Sequence, residues 1–368
     1  MKNKILKLFR NNIQNLIPYQ SARHIGGMHG NILLNANESP LSVCFKSKKK
    51  IFNRYPECQP NHLISLYASY VNLSCEQILV TRGADEGIEL LIKSFCEPKK
   101  DAIIYCPPTY DMYKVSAKIA GVEIKEIPTI KNTWQLDLCN IKSNLIGVKL
   151  IYICNPNNPT GNLILLNDLI NLLSITSNQC LVVVDEAYIE FSPTDTMTRY
   201  LSEYPNLVIL RTLSKSFALA GIRCGFTLAN QEIINILKKV ISPYPISVPV
   251  TDIAVQALKE KNIQLMQNRV SMLNNHRIWL IKKLKSIQCV EKVFISQANY
   301  VLVKFFMFKE IFKTLWNKGI ILRNQHDKKN LEKCIRISIG THSENVLLIK
   351  ELKIFSKKNM FSGGVSEK

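Results

Sequence analysis

One lysine of this chain stands in a setting that could make it a nucleophile. Lys215 lies within Thr212-Leu213-Ser214-Lys215-Ser216-Phe217, among small and apolar residues. An ammonium stripped of water loses its proton more readily, and the neutral amine can attack an aldehyde. Ser214 and, in Gly221-Ile222-Arg223-Cys224-Gly225, Arg223 add a hydroxyl and a guanidinium suited to a phosphate. A single lysine is usually a surface residue, so the neighbourhood has to carry the reading. One apolar run earlier, Leu181 to Val184 delivers the carboxylate of Asp185, with Tyr188 three residues on. A carboxylate at the end of a buried strand needs a cationic partner. A protonated pyridine nitrogen would serve.

Other apolar runs end in residues of equal interest. Thr81-Arg82-Gly83-Ala84-Asp85-Glu86-Gly87 opens a helical pattern with small residues, whose bare amides at Ala84 and Asp85 form a natural phosphate cradle. By itself this is also an ordinary helix start, with Asp85 complementing the dipole. Tyr110, after Pro107-Pro108-Thr109, can stack on a planar ring or simply pack. Asn155-Pro156-Asn157-Asn158-Pro159-Thr160-Gly161 is richer in Asn and Pro than a turn alone requires.

These residues need a scaffold that gathers strand ends. Gln77 to Val80, Ala102 to Cys106, Lys149 to Cys154, Leu181 to Val184 and Leu207 to Arg211 read as buried strands. Amphipathic segments such as Asp85 to Phe95 and Tyr110 to Ala120 separate most of them. The alternation predicts an α/β layer around a mostly parallel sheet, with ligands beyond the carboxyl ends of its strands. After Pro243-Tyr244-Pro245 the texture changes. One long helical stretch is expected over Thr251 to Ser286, then strands at Asn299 to Phe305 and Ile335 to Ile339 within a smaller α+β domain. The expected organisation is an N-terminal arm over 1–48 joining the small domain, a large domain over 49–245, the small domain over 246–357, and a flexible tail over 358–368.

Composition narrows the partners. The 368 residues suffice for two domains, and no run of about 20 apolar residues suggests a membrane span. The net charge of +20 comes from lysines spread along the chain, with short runs at Lys48 to Lys50 and Lys357-Lys358. No helix-turn-helix or RNA-binding signature accompanies it, and a positive surface also attracts anionic substrates. No spare length houses a DNA-binding module. No Gly-x-Gly-x-x-Gly follows a strand, which disfavours a dinucleotide-binding dehydrogenase. The 11 cysteines form no framework, which points to free thiols in a reducing compartment. Cys58 with His62, and His24 with His29, lack a matching second pair, so no metal is expected. Met1 to Asn15 is basic and helix-like, as a transit peptide would be. It is poor in serine and runs straight into Pro18-Tyr19-Gln20, so the expected location is cytoplasmic.

Taken together, the order of these motifs resembles the fold-type-I, class-II pyridoxal-phosphate-dependent aminotransferases. More narrowly, it resembles the histidinol-phosphate aminotransferase family. Pro18-Tyr19-Gln20-Ser21-Ala22-Arg23, Leu34-Asn35-Ala36-Asn37-Glu38, Arg54-Tyr55-Pro56-Glu57-Cys58-Gln59-Pro60, the segment from Arg82 to Ile92, Leu213-Ser214-Lys215 through Asn230, and Gly319-Ile320-Ile321-Leu322-Arg323 carry that likeness. So does Cys334-Ile335-Arg336-Ile337 with Gly340-Thr341. The resemblance spans about residues 13–350.

The resemblance implies pyridoxal 5'-phosphate as cofactor and a sheet sandwiched by helices. Lys215 would carry the cofactor as an internal Schiff base and shuttle a proton. Asp185 would pair with the pyridine nitrogen, Asn158 and Tyr188 would meet the phenolic oxygen, and Tyr110 would stack on the ring. Ala84, Asp85, Ser214 and Arg223 would hold the phosphate, with Tyr55 reaching across a homodimer to the neighbouring subunit's site. Arg323 and Arg336 would clamp the substrate phosphate, Arg336 would also take the glutamate carboxylate, and Tyr19 would close over the substrate. Amino transfer from L-glutamate to imidazole-acetol phosphate would yield 2-oxoglutarate and L-histidinol phosphate, a step toward histidine. Two activities of the same fold are the alternatives: an aromatic amino-acid aminotransferase and a threonine-phosphate decarboxylase.

Overall fold

The computed structural model describes residues 10–14, 16–19, 21, 30–45 and 52–361. Gln20, Ala22, Arg23, His24, His29, Lys48 to Lys50 and residues 362–368 lie outside that set. The chain builds two sheets. The larger has seven strands: β2 (Ile78–Thr81), β3 (Ala102–Tyr105), β4 (Glu123–Glu126), β5 (Val148–Cys154), β6 (Leu181–Asp185), β7 (Leu207–Thr212) and β8 (Gly225–Ala229). Their order is β2-β8-β7-β6-β5-β3-β4.

The expected apolar runs are all strands, and the burial pattern shows why they are continuous rather than alternating. Along β6, Val182 and Val184 enter one core while Val183 enters another. The same split separates Leu207 and Ile209 from Val208 and Leu210 on β7. Successive strand side chains point to opposite faces, so a sheet covered on both sides needs apolar residues at every position. The helix Ala84–Phe95 supplies Ile88 and Leu91 to one core, and Asn61–Val71 supplies Leu63 and Tyr67 to the other.

Sequence reading missed β4 and β8. β4 is an edge strand with the pattern Glu-Ile-Lys-Glu, too polar to register as buried. β8 pairs antiparallel with both β2 and β7, whereas the other neighbours in this sheet are parallel. An antiparallel partner needs only a short connection, while a parallel one needs a crossover of a dozen residues or more. The β7–β8 connection is therefore a compact loop, and it carries Lys215 and Arg223.

The second sheet has the order β1-β11-β12-β10-β9. It comprises β1 (Ile32–Leu34), β9 (Val290–Val293), β10 (Tyr300–Phe305), β11 (Ile320–Asn324) and β12 (Cys334–Ser338). β1 runs parallel to β11 and ties the N-terminal region to this sheet. The single long helix expected over Thr251 to Ser286 is two helices, Val248–Ala257 and Glu260–Leu284. Lys259 breaks them, leaving the helical region at ψ 142°. The closing helix His342–Phe361 runs past the point where the tail was expected to begin. Among the described residues no helix is long and apolar enough to cross a membrane.

Candidate active site

A cavity of about 430 Å³ opens where Cys154, Asp185 and Thr212 end their strands. That volume lies in the range of small-molecule sites. The structure brings Tyr19, Ala84, Asp85, Tyr110, Asn158, Asp185, Tyr188, Ser214, Lys215, Arg223, Arg323 and Arg336 to its wall. Tyr55 does not line it. It is 80% exposed and stacks on Tyr244, with ring centroids 4.4 Å apart.

Lys215 donates from Nζ to the Ala36 carbonyl at 3.0 Å and stands 5.7 Å from the centre of the Tyr188 ring. Burial pushes its amine down to about 8, and the nearby Arg336 and Arg223 guanidiniums act in the same direction. Glu38 and Asp85 oppose them. An amine near 8 is substantially neutral at the upper end of physiological pH, which a nucleophile requires.

Asp185 is buried, and among the described residues no lysine or arginine forms an ion pair with it. Burial raises its carboxyl to about 6, with Asp85 and Glu186 adding to the rise. Two donors hold it back: the Tyr113 hydroxyl at 2.7 Å from Oδ2 and the Ala187 amide at 3.1 Å from Oδ1. A buried carboxylate without a cation is costly unless a bound group supplies one.

A second cluster lies toward the smaller sheet. Arg336 Nη1 donates to Asn158 Oδ1 at 2.5 Å, and Nη2 donates to the Asn35 carbonyl at 2.7 Å. The Tyr188 hydroxyl accepts from Asn37 Nδ2 at 3.1 Å and from Asn158 Nδ2 at 3.4 Å. Arg323 sits directly opposite Arg336 in the β11–β12 pairing, so the two guanidinium side chains issue from one patch of sheet.

The third cluster surrounds the start of the helix Ala84–Phe95. Arg223 Nη2 reaches Asp85 Oδ2 at 3.2 Å, and its Nη1 donates to Ser214 Oγ at 3.3 Å. The Tyr110 hydroxyl donates to Asp85 Oδ1 at 2.9 Å. Asp85 therefore uses its carboxylate to hold Arg223 and Tyr110, a role that its position in the helix start did not disclose. Gly83 caps the helix at φ 77°, a left-handed value that suits glycine. Gly225 lets two chain segments meet: a Cβ there would stand 2.5 Å from the Gly83 carbonyl carbon and 2.7 Å from the Ala84 nitrogen.

The sequence assigns no role to Asn37 and Lys328, which line the cavity, or to Tyr113, which is buried behind Asp185. Lys328 Nζ bonds Asp111 Oδ2 at 2.8 Å and the Thr109 carbonyl at 3.2 Å. Nothing in its Asp-Lys-Lys-Asn setting distinguishes it from a surface lysine. In the sequence Asn37 stands out only as part of the Leu34 to Glu38 motif, and its place as a buried partner of Tyr188 is legible only in three dimensions.

The donor set fits a ring that carries an aldehyde, a phosphate and a basic nitrogen. A low-pKa amine and a cation-seeking carboxylate share the cavity wall with a helix start, Ser214 and Arg223. Known proteins agree with this chemistry. A family model described as aminotransferase class I and II matches residues 30–352. The chain is 74% identical over 368 residues, all of both chains, to a histidinol-phosphate aminotransferase of Buchnera aphidicola subsp. Acyrthosiphon pisum (strain Tuc7). It is 55% identical over 349 residues to that of Escherichia coli (strain SMS-3-5 / SECEC), covering 95% of this chain and 98% of the relative. The fold is shared with a histidinol-phosphate aminotransferase from Sinorhizobium meliloti solved in complex with pyridoxal-5'-phosphate. The TM-score is 0.84 at 20% identity, over 96% of this chain and 98% of that one. With this cavity and relatives of this kind along its whole length, the chain belongs to the class I and II aminotransferases and, within them, to the histidinol-phosphate aminotransferase family.

Proposed function

We propose that this chain moves an amino group reversibly between L-glutamate and imidazole-acetol phosphate, giving 2-oxoglutarate and L-histidinol phosphate in histidine biosynthesis, with pyridoxal 5'-phosphate as cofactor. The observation that carries the reading is that one cavity is lined by Lys215, by a carboxylate awaiting a cation, Asp185, and by a pair of arginines on one sheet, Arg323 and Arg336. When bound, the cofactor supplies an aldehyde for the amino group and a ring that withdraws electrons from the reacting carbon.

The chain's own residues do the rest. Lys215 holds the cofactor and moves the proton at the substrate carbon. Asp185 accepts a hydrogen bond from the ring nitrogen and keeps it protonated. Asn158 and Tyr188 would hold the ring's phenolic oxygen, and Tyr110 would stack on the ring. The Ala84 and Asp85 amides, Ser214 and Arg223 bind the cofactor phosphate. Arg323 and Arg336 take the substrate phosphate, since a dianion favours more than one guanidinium. Arg336 serves the glutamate carboxylate in the other half of the exchange, and Tyr19, at the cavity mouth, excludes water over the bound substrate.

The working form in this reading is a cytoplasmic homodimer. Its support is Tyr55, exposed beside the exposed Tyr244 and away from its own cavity. Placed in the partner's site it completes the phosphate contacts. Tyr55→Phe should then weaken cofactor binding by about tenfold, the loss of one hydrogen bond to a charged group. Mixing that variant with Lys215→Ala should restore tight binding in the site that keeps Lys215, because the partner again supplies Tyr55. Unrestored binding in the mixed dimer would mean that Tyr55 acts within its own subunit or not at all.

The reaction is tested by single-turnover absorbance of the cofactor-loaded protein. L-histidinol phosphate and L-glutamate should each discharge the yellow form rapidly, with L-phenylalanine and threonine phosphate slow. A yellow protein indifferent to histidinol phosphate would discard this substrate. A protein that binds no cofactor would discard the whole reading.

A further inference from the structure

We propose that Tyr113 is a positioning residue: its hydroxyl aims and steadies the Asp185 carboxylate that meets the cofactor's ring nitrogen. This deepens the function proposed above and rests on that reading of Asp185.

Tyr113 lies in the helix Met112–Ala120 and is fully buried. Its hydroxyl donates to Asp185 Oδ2 at 2.7 Å, the shorter of the two hydrogen bonds described for that carboxylate. The Ala187 amide holds the other oxygen at 3.1 Å. With one donor on each oxygen, the carboxyl plane cannot swing.

The phenol ring is fixed in turn. It stacks on Tyr152 at 4.8 Å and 12°, and the Tyr152 hydroxyl donates to the Ile88 carbonyl at 3.1 Å. Tyr110 packs edge-on against it at 5.7 Å and 86°. One side chain therefore touches both the carboxylate assigned to the ring nitrogen and the aromatic assigned to the ring face. The groups around Asp185 come from several elements: Tyr113 from its helix, Tyr152 and Cys154 from β5, Asp85 from the helix Ala84–Phe95, Tyr300 from β10, and Glu186 and Tyr188 from the segment that follows Asp185. Of these side chains, only Tyr113 donates a hydrogen bond to it.

The physical consequence is a division of labour. Burial favours the neutral acid, whereas a donated hydrogen bond favours the anion. Without the phenol, Asp185 takes up a proton at higher pH and turns more freely. Both changes weaken a bond to a protonated ring nitrogen. They should leave untouched a cofactor that has no such nitrogen.

The test compares two ligands on the apo-enzyme by equilibrium binding: pyridoxal phosphate, and its analogue with carbon in place of the ring nitrogen. Tyr113→Phe keeps the ring packing and removes only the hydroxyl. It should weaken pyridoxal phosphate binding about tenfold and change analogue binding less than about twofold. The pH at which binding of pyridoxal phosphate fails on acidification, near the value of about 6 set by Asp185 in the wild type, should rise by about one unit. Equal weakening of both ligands would reduce Tyr113 to a packing residue and overturn the proposal, as would no weakening of either. A wild-type protein that binds both ligands equally would instead overturn the assignment of Asp185 on which the proposal stands.

Discussion

Lys215→Ala is expected to lower turnover by about 10⁴-fold or more while the variant still binds pyridoxal phosphate. Removal of a positioned acid–base group alone removes up to about 10⁴ in rate. Here the same residue is assigned the attachment of the cofactor, so the loss sits at the top of that range. Binding should survive because Ser214 and Arg223, proposed to hold the phosphate, and the Asp185 carboxylate are left in place. The measurement pairs an activity assay with an absorbance spectrum. The variant should hold the cofactor with the spectrum of the free aldehyde, lacking the band of the lysine-bound form. Retention of that band would assign the attachment to a different lysine.

The depressed amine adds a pH dependence with a definite sign. Below about pH 8 Lys215 is mostly an ammonium and cannot attack; above it the amine is mostly neutral. The rate at which apo-protein takes up cofactor covalently should therefore rise with pH and level off above about 8. A rate that rises only near pH 10, the ordinary range of a solvated lysine, would show that the site does not desolvate this residue.

Arg336→Met should lower kcat/KM for both L-histidinol phosphate and L-glutamate by about 10²–10³-fold. The guanidinium is buried, and burial pushes its pKa down. It spends one nitrogen on Asn158 and another on the Asn35 carbonyl, while its Nε finds no hydrogen-bond partner among the described residues. Loss of a buried, hydrogen-bonded charge facing an anion costs about 2–5 kcal/mol, and each 1.4 kcal/mol is about tenfold. Part of the loss comes from Asn158, left without its 2.5 Å donor and free to turn from Tyr188. Arg323→Ala makes the contrast: its effect should be smaller and confined to the phosphorylated substrate, because glutamate presents no phosphate. Equal losses with both substrates in the Arg323 variant would remove the idea of a two-arginine phosphate clamp.

How much of this was legible beforehand follows from the range of each interaction. The central strands were legible because burial on both faces writes itself into the chain as uninterrupted Val, Ile and Leu. The polar edge strand β4 and the antiparallel β8 were not, since their pairing is set by the strands beside them rather than by their own composition. The break at Lys259 was hidden because neither Leu258 nor Lys259 opposes helix by its type; it shows only in the backbone, where Lys259 turns extended at ψ 142°.

The site divides in the same way. Lys215, Asp185 and the Asn155 to Gly161 turn could be read in order, because each follows an apolar run and so must sit near a strand end, and Arg223 lies in the same loop as Lys215. Residue type and local spacing determine that much by themselves: which groups exist, and on which side of the sheet they emerge. Tertiary structure alone decided their partners. It put Tyr113 under Asp185, turned the Asp85 carboxylate onto Arg223 and Tyr110, set Arg323 across from Arg336, and left Tyr55 facing outward. Each of these is a contact between distant segments of chain, fixed by packing and strand register, and such contacts leave no periodic trace in either segment read alone.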